Sequence, residues 1–302
     1  MSAEPKVSLI EPFGVEVDLD ISEGISSETY GVLRRLFAEH HMLVLKRQNI
    51  SLNEQVRFAK QFGPVVPVDG LNFGILVSNN RPEGNFGLKD VNGSLCFHHD
   101  NPFAPQPDRG ILFYALDVVN GASSTRFASG ALAYDRLPEA TKTRLAGLQT
   151  LNVFSQEPEG RNRNDQVPPY FPRAIHPLVW KHRDTGRPFL FNCSQSTDCI
   201  LGMPADESEA LLQELWQVQF AEDMIYDHVW EAGDVVLIDN EVLQHGRSVL
   251  NNVGNRTLRR VTIADKSSAD MFPEFDVSAI LGTGEKPAVG LTEGYQRDLQ
   301  SS

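Results

Sequence analysis

From Gly74 onward the chain is a succession of short apolar runs, GILVSNN, GILFYALDVV, RPFLFNCS and GDVVLIDN, separated by clusters of Gly, Pro and Asn. Short apolar runs bounded by turn residues read as buried strands joined through tight turns, the pattern of an antiparallel β architecture. The sequence therefore predicts a mainly β fold with flanking helices. Two stretches break the pattern. Residues 129–148 carry Leu132, Tyr134, Leu137, Leu145 and Leu148 at helical spacing, with Pro138 splitting the segment. Residues 206–220 place Leu211, Leu212, Leu215 and Val218 on one helical face. Ahead of Gly74, Glu28 to Glu39 reads as a helix through Leu33, Leu36 and Phe37, and MLVLKR (42–47) reads as a buried strand. Ser51-Leu52-Asn53-Glu54 is a capping box opening a helix with Val56, Phe58 and Phe62. No Pro/Ser/Gly linker divides the 302 residues, so one domain over 1–302 is expected, with helical insertions near 129–148 and 206–220. The tail after about 266, rich in Ser, Gly, Glu and Pro, is expected to be mobile.

Composition removes several function classes. A net charge of −13 argues against a surface that tracks nucleic-acid phosphates or anionic lipid. No stretch approaches the ~18 consecutive apolar residues of a membrane span. The three cysteines, Cys96, Cys193 and Cys199, are odd in number and form no CxxC, which argues against a disulfide framework or zinc knuckle. With no basic segment leading into an apolar one at the N-terminus, a cytoplasmic location is expected.

The chemistry centres on Phe97-His98-His99-Asp100. On an extended segment His98 and Asp100 project from one face while His99 points away. A distant third ligand, His245, follows GDVVLIDNEVLQ. Two imidazoles and one carboxylate leave adjacent positions open on the metal, which suits Fe(II) with a bidentate 2-oxoacid and O₂. A His-x-Asp by itself is unspecific, and two core histidines with a capping aspartate would look the same. The run NRTLRR sharpens the reading: Arg256 and Arg260 share the inward face of a strand and Arg259 points outward. An inward guanidinium requires an anion, and the distal carboxylate of 2-oxoglutarate would meet that need. His40, His41, His176 and His228 read as structural. His182, beside the turn Asp184-Thr185-Gly186, reads as exposed.

AKQFGPV, FHHD, SSTRFAS, HPLVWKHRDTGRPFLF and GDVVLIDN…H…R…R, in this order, resemble the taurine dioxygenase and 2,4-dichlorophenoxyacetate dioxygenase (TauD/TfdA) family from about the MLVLKR strand to Asp265. The resemblance implies a double-stranded β-helix (jelly-roll-like) core, with iron on His98, Asp100 and His245. It places 2-oxoglutarate on Arg256 and Thr125, and the acidic group of the prime substrate on Arg260. Ser94, His99 and Asn72 fall beside the substrate, Asn72 within a lid-forming segment. The departures are Phe97 for a family Trp, Ser94 for an Asn, Ile238-Asp239-Asn240-Glu241 for WDNR and Val179-Trp180-Lys181-His182 for VRTH. None touches an iron or 2-oxoglutarate ligand. The implied reaction is hydroxylation of a small anionic or zwitterionic organic acid, with release of succinate and CO₂. Desaturation or carbon–heteroatom cleavage by the same oxidant is the variant, and a cupin-like metal-dependent hydrolase or isomerase the alternative class. Relatives of this kind form dimers or tetramers, so a homo-oligomer is expected.

Overall fold

Val235, Val236, Leu237 and Ile238 are all fully buried, yet they serve two different cores. Val235 and Leu237 join Leu43, Leu45, Leu112, Tyr114, Val261 and Ile263 in one cluster. Val236 and Ile238 join Met42, Val44, Ile111, Phe113 and Leu258 in another. The two-residue period of a strand sends alternate side chains to opposite faces, and a strand covered on both faces reads as a continuous apolar run.

The computed structural model describes residues 5–67, 73–80, 93–155, 160–251, 253–273 and 275. The first half contains β1 (Lys6–Leu9), β2 (Val15–Asp18), α1 (Ser27–His40), β3 (Met42–Leu45), α2 (Leu52–Ala59), β4 (Ile75–Ser78), β5 (Leu95–His98), β6 (Gly110–Val118), β7 (Ser124–Ser129), α3 (Gly130–Arg136) and α4 (Glu139–Leu145). There follow β8 (Gln149–Val153), β9 (Arg173–Pro177), β10 (Val179–Lys181), β11 (Pro188–Leu190), β12 (Thr197–Ile200), α5 (Ala205–Gln219), β13 (Ile225–Val229), β14 (Val235–Asp239), β15 (Leu243–Arg247), β16 (Arg256–Ile263) and α6 (Ser268–Met271). A major sheet in the order β1-β2-β3-β14-β6-β16-β4 faces a minor sheet, β13-β7-β15-β5. Phe127 of β7 and Leu243 of β15 close the cluster between them, giving the expected jelly-roll core. The outer face of the major sheet is covered by Tyr30 and Leu33 of α1 and by Val56, Phe58 and Ala59 of α2. Among the described residues no helix is long and apolar enough to cross a membrane.

Local signals act where the sequence places them. Ser51 and Glu54 form the reciprocal capping box of α2, with Ser51 N donating to Glu54 Oε2 at 2.7 Å. Pro138 separates α3 from α4. The apolar face of α5 buries Leu211, Leu212 and Leu215, with Trp216 beside them. The chain does not leave the fold at about 266. α6 follows, and Phe272 and Phe275 pack with Phe103, Phe154 and Phe171. Residues from 276 lie outside the described residues.

The minor sheet sets the distance between the two histidines of the HxD…H pattern. β15 pairs antiparallel with β5 so that His245 lies opposite His98, and a register shift follows immediately before Leu95↔Arg247. Gly246 sits at this shift. A methyl group on it would stand 2.9 Å from Leu95 O and 3.2 Å from Cys96 O. Gly246→Ala is expected to force β5 and β15 apart and cost about 1–3 kcal/mol of stability, read by urea denaturation.

Candidate metal centre and co-substrate pocket

His98 ends β5, Asp100 follows in the next turn, and His245 lies directly across on β15. One donor atom from each falls within 4.8 Å of the others, and the two imidazole rings are 4.2 Å apart between centroids. His98 Nδ1 is 2.9 Å from Cys96 O. That contact turns Nε2 toward Asp100, whose Oδ1 lies 3.8 Å away. Nδ1 of His245 is buried with no hydrogen-bond partner. Burial, then the neighbouring His98, pushes the His245 imidazole well below its ordinary pKa, so it stays neutral and able to donate a lone pair. Burial works against ionisation of Asp100, but Arg260 and the adjacent histidines outweigh it and hold the carboxyl below its usual value. Two imidazoles and a carboxylate at this spacing fit a ferrous ion.

Arg256 starts β16 on the inner face and is 3% exposed. Its Nη2 donates to Thr125 Oγ1 at 3.1 Å, and the same oxygen accepts from Trp230 Nε1 at 2.9 Å. Its Nε has no hydrogen-bond partner among the described residues. Burial and the nearby Arg247 drag its pKa down to about 9. Among the described residues no carboxylate forms an ion pair with Arg256, so the pocket has the chemistry to take an anion.

Arg260, two positions further along the same face, puts Nη1 2.8 Å from Asp100 Oδ2 and Nη2 3.8 Å from Asp108 Oδ2. The third arginine, Arg259, does lie on the opposite face but is not left in solvent. It donates to Gln55 Oε1 at 2.6 Å and Ile50 O at 2.8 Å, under α2. Ser94 precedes β5 and is partly buried. Asn72 lies outside the described residues. His99 is only 2% exposed, has Nδ1 2.6 Å from Asn240 O, and stacks on Phe191. It therefore faces the core and offers no surface to a substrate, a correction that follows from the same strand alternation that put His98 on the metal side.

The family model described as "Taurine catabolism dioxygenase TauD, TfdA family" matches residues 6–262. The chain belongs to this family. With it the chain belongs to the Fe(II)- and 2-oxoglutarate-dependent dioxygenases. It is 28% identical over 281 residues to an alpha-ketoglutarate-dependent 2,4-dichlorophenoxyacetate dioxygenase of Cupriavidus pinatubonensis, covering 83% of this chain and 94% of the relative. It is 32% identical over 231 residues to an (S)-phenoxypropionate/alpha-ketoglutarate-dioxygenase of Sphingobium herbicidovorans, covering 70% and 78%. In structure it resembles a taurine dioxygenase from Burkholderia xenovorans, with TM-score 0.73, 22% identity and coverage of 87% and 92%. It also resembles AAD-2 in complex with Mn(II) and N-oxalylglycine, with TM-score 0.72, 25% identity and coverage of 87% and 98%.

Three supporting residues escaped the reading of the sequence. Asn240 accepts from Asp100 N at 2.8 Å and donates to Asp100 O at 3.0 Å and Asp108 O at 2.7 Å, locking the turn that aims Asp100. Its position directly after β14, whose first four residues are apolar, was the available signal. Trp230 holds Thr125. Asp108 stands behind Arg260, and burial, then Asp100, pushes its pKa up to about 7.

A raised carboxyl pKa means that the folded chain binds the extra proton between about pH 4 and 7, so this group's contribution to stability is lost as pH rises through that window. In metal-free protein, Asp108→Asn is accordingly expected to raise the melting temperature more at pH 8 than at pH 5. Replacing the unpaired cation by Arg256→Met is expected to leave metal-free, co-substrate-free protein as stable as wild type or more so, checked in the same melting experiment.

Proposed function

We propose that this dioxygenase hydroxylates a C–H bond of a small carboxylic acid, with iron on His98, Asp100 and His245, 2-oxoglutarate on Arg256 and Thr125, and the substrate's acid group on Arg260. The observation that carries the reading is Arg256: a buried guanidinium with no carboxylate partner among the described residues, on the same sheet face as Arg260, which reaches Asp100. Ferrous iron and 2-oxoglutarate, when bound, supply the oxidising power, O₂ giving one oxygen atom to the substrate and one to succinate as CO₂ leaves.

The chain's own residues position and shield. His98 and His245, fixed by strand pairing, hold the metal from one sheet, and Asn240 orients Asp100 through both backbone atoms of that residue. Arg256 binds the far carboxylate with Thr125 as a second donor once its hydroxyl hydrogen turns toward the ligand, since Trp230 and Arg256 both donate to that oxygen. Arg260 is held by Asp100 Oδ2. A metal held by Asp100 would share that carboxylate's charge and loosen its hold on Arg260, whose guanidinium would then be able to take a carboxylate. The two relatives reported above are named for aryloxy carboxylic acids, which favours a carboxylate over a sulfonate here. The alternative of a cupin-like hydrolase loses its support with the family match, because nothing in hydrolysis requires Arg256. The residues needed span Ser94 to Arg260, and we read the chain as one catalytic unit. An odd count of three cysteines with no CxxC suits the reducing cytosol.

The test is succinate release across aryloxy and alkyl carboxylates, their sulfonate analogues, zwitterions, and the neutral methyl esters of the same acids. Carboxylates should stimulate release and esters should not; equal turnover of the esters would defeat the Arg260 assignment. Arg256→Ala should raise the KM for 2-oxoglutarate about ten- to hundredfold, in line with the ~1.5–3 kcal/mol of a hydrogen bond to a charged group, while metal stoichiometry stays unchanged. An unchanged KM would remove Arg256 from the co-substrate site.

A further inference from the structure

His41 occupies a position where its presence is costly twice over. It terminates α1 in the left-handed conformation, φ 63°, where glycine is the favoured residue. It is also 2% exposed, with neither ring nitrogen hydrogen-bonded. An unpartnered buried imidazole on strained backbone is the kind of feature that a ligand explains. Its Nδ1 lies 3.9 Å from Asp239 Oδ2, and His182 Nε2 lies 2.9 Å from the same oxygen. All three donors fall within 4.8 Å of one another. His182 is not the exposed turn residue that its neighbours Asp184 and Gly186 predict; it is 4% exposed.

We propose that His41, His182 and Asp239 form a second metal site, for a divalent ion of zinc type, on the helix-covered face of the major sheet opposite the catalytic triad. Ligands about 2.0–2.2 Å from a tetrahedral ion stand roughly 3.3–3.6 Å apart, and the observed 2.9 and 3.9 Å bracket that spacing. The outer shell is in place. Asp239 Oδ1 accepts from Glu241 N at 3.0 Å, leaving Oδ2 for the ion. His182 Nδ1 is 3.1 Å from Thr185 Oγ1 and accepts from Asp184 N at 3.4 Å and Thr185 N at 3.3 Å; for Nε2 to bind the ion these two long contacts give way as Nδ1 takes a hydrogen and donates it to Thr185 Oγ1, with the ion displacing the proton that Nε2 shares with Asp239. Burial lowers the His41 pKa to about 4, keeping it an unprotonated donor. A cavity of about 420 Å³ touches His182 and Asp239 and leaves room for a fourth ligand. Arginines on its rim do not cancel the site: Arg183 pairs with Glu241 and Arg109 with Asp265, while Arg34 and Arg35 are exposed to solvent.

The test is metal stoichiometry by elemental analysis after chelator stripping and dialysis of the full chain against micromolar Zn²⁺. Wild type should hold two equivalents, His41→Gly one, His98→Ala/His245→Ala one, and the triple variant none. His41→Gly places the favoured residue in the left-handed position, so the fold is not at risk. Zinc should also raise the melting temperature of the His98→Ala/His245→Ala protein, and this rise should vanish with His41→Gly. One equivalent in wild type, or a second equivalent that survives His41→Gly, would overturn the proposal.

Discussion

The antiparallel register of β5 against β15 sets His98 opposite His245, and nearly every other feature of the catalytic side exists to make that register tolerable. Two imidazoles with ring centroids 4.2 Å apart and a carboxylate in the same cup concentrate polar groups where burial penalises them. The surrounding structure answers with fixed partners. Cys96 O takes one nitrogen of His98, Asn240 binds both backbone atoms of Asp100, and Arg260 lies against its carboxylate. A one-residue slip of β15 would reverse its faces and turn His245 away from the cup, so the register is specified by the same burial that closes the core.

Alternation across the major sheet then divides labour between its faces. On β16, Arg256, Leu258 and Arg260 look toward the minor sheet, while Arg259 lies beneath α2 and Val261 and Ile263 pack into the helix-covered core. At the end of β14, the carboxylate of Asp239 goes to the helix side and meets His182 and His41, and Asn240 goes to the catalytic turn. Neighbouring residues of the run IDN thus serve two clusters on opposite sides of one sheet. The backbone joins them as well, because Asp239 N donates to His41 O at 2.9 Å.

What the sequence made legible were features with a short-range rule behind them. The i, i+2 spacing put His98 and Asp100 together, the even spacing put Arg256 and Arg260 on one face, and Ser51 with Glu54 marked the start of α2. What stayed hidden depended on which distant segment lands on a residue. The turn signal at Asp184 to Gly186 is genuine, but it says nothing about α1 ending against it, and that contact is what buries His182. The same holds for Asn240 and Asp108, whose roles arise only when β14, the 98–101 turn and the lead into β6 meet. Composition likewise gave no sign that Phe272 and Phe275 pack beside Phe154 and Phe171.

The charges of the catalytic cup divide into a carboxylate-rich half and a cationic half. At one end Asp100 and Asp108 share a single guanidinium, Arg260, and the cost of that crowding shows in the raised pKa of Asp108. At the other end Arg256, beside Arg247, is a buried cation whose guanidinium, among the described residues, meets only the hydroxyl of Thr125. A divalent cation suits the first half and a dicarboxylate suits the second. A cation alone relieves the carboxylates but adds positive charge facing Arg256, and a dianion alone satisfies Arg256 but adds negative charge facing Asp100 and Asp108. Each ligand therefore improves the electrostatic setting of the other, so the two bind with positive coupling that must be reciprocal.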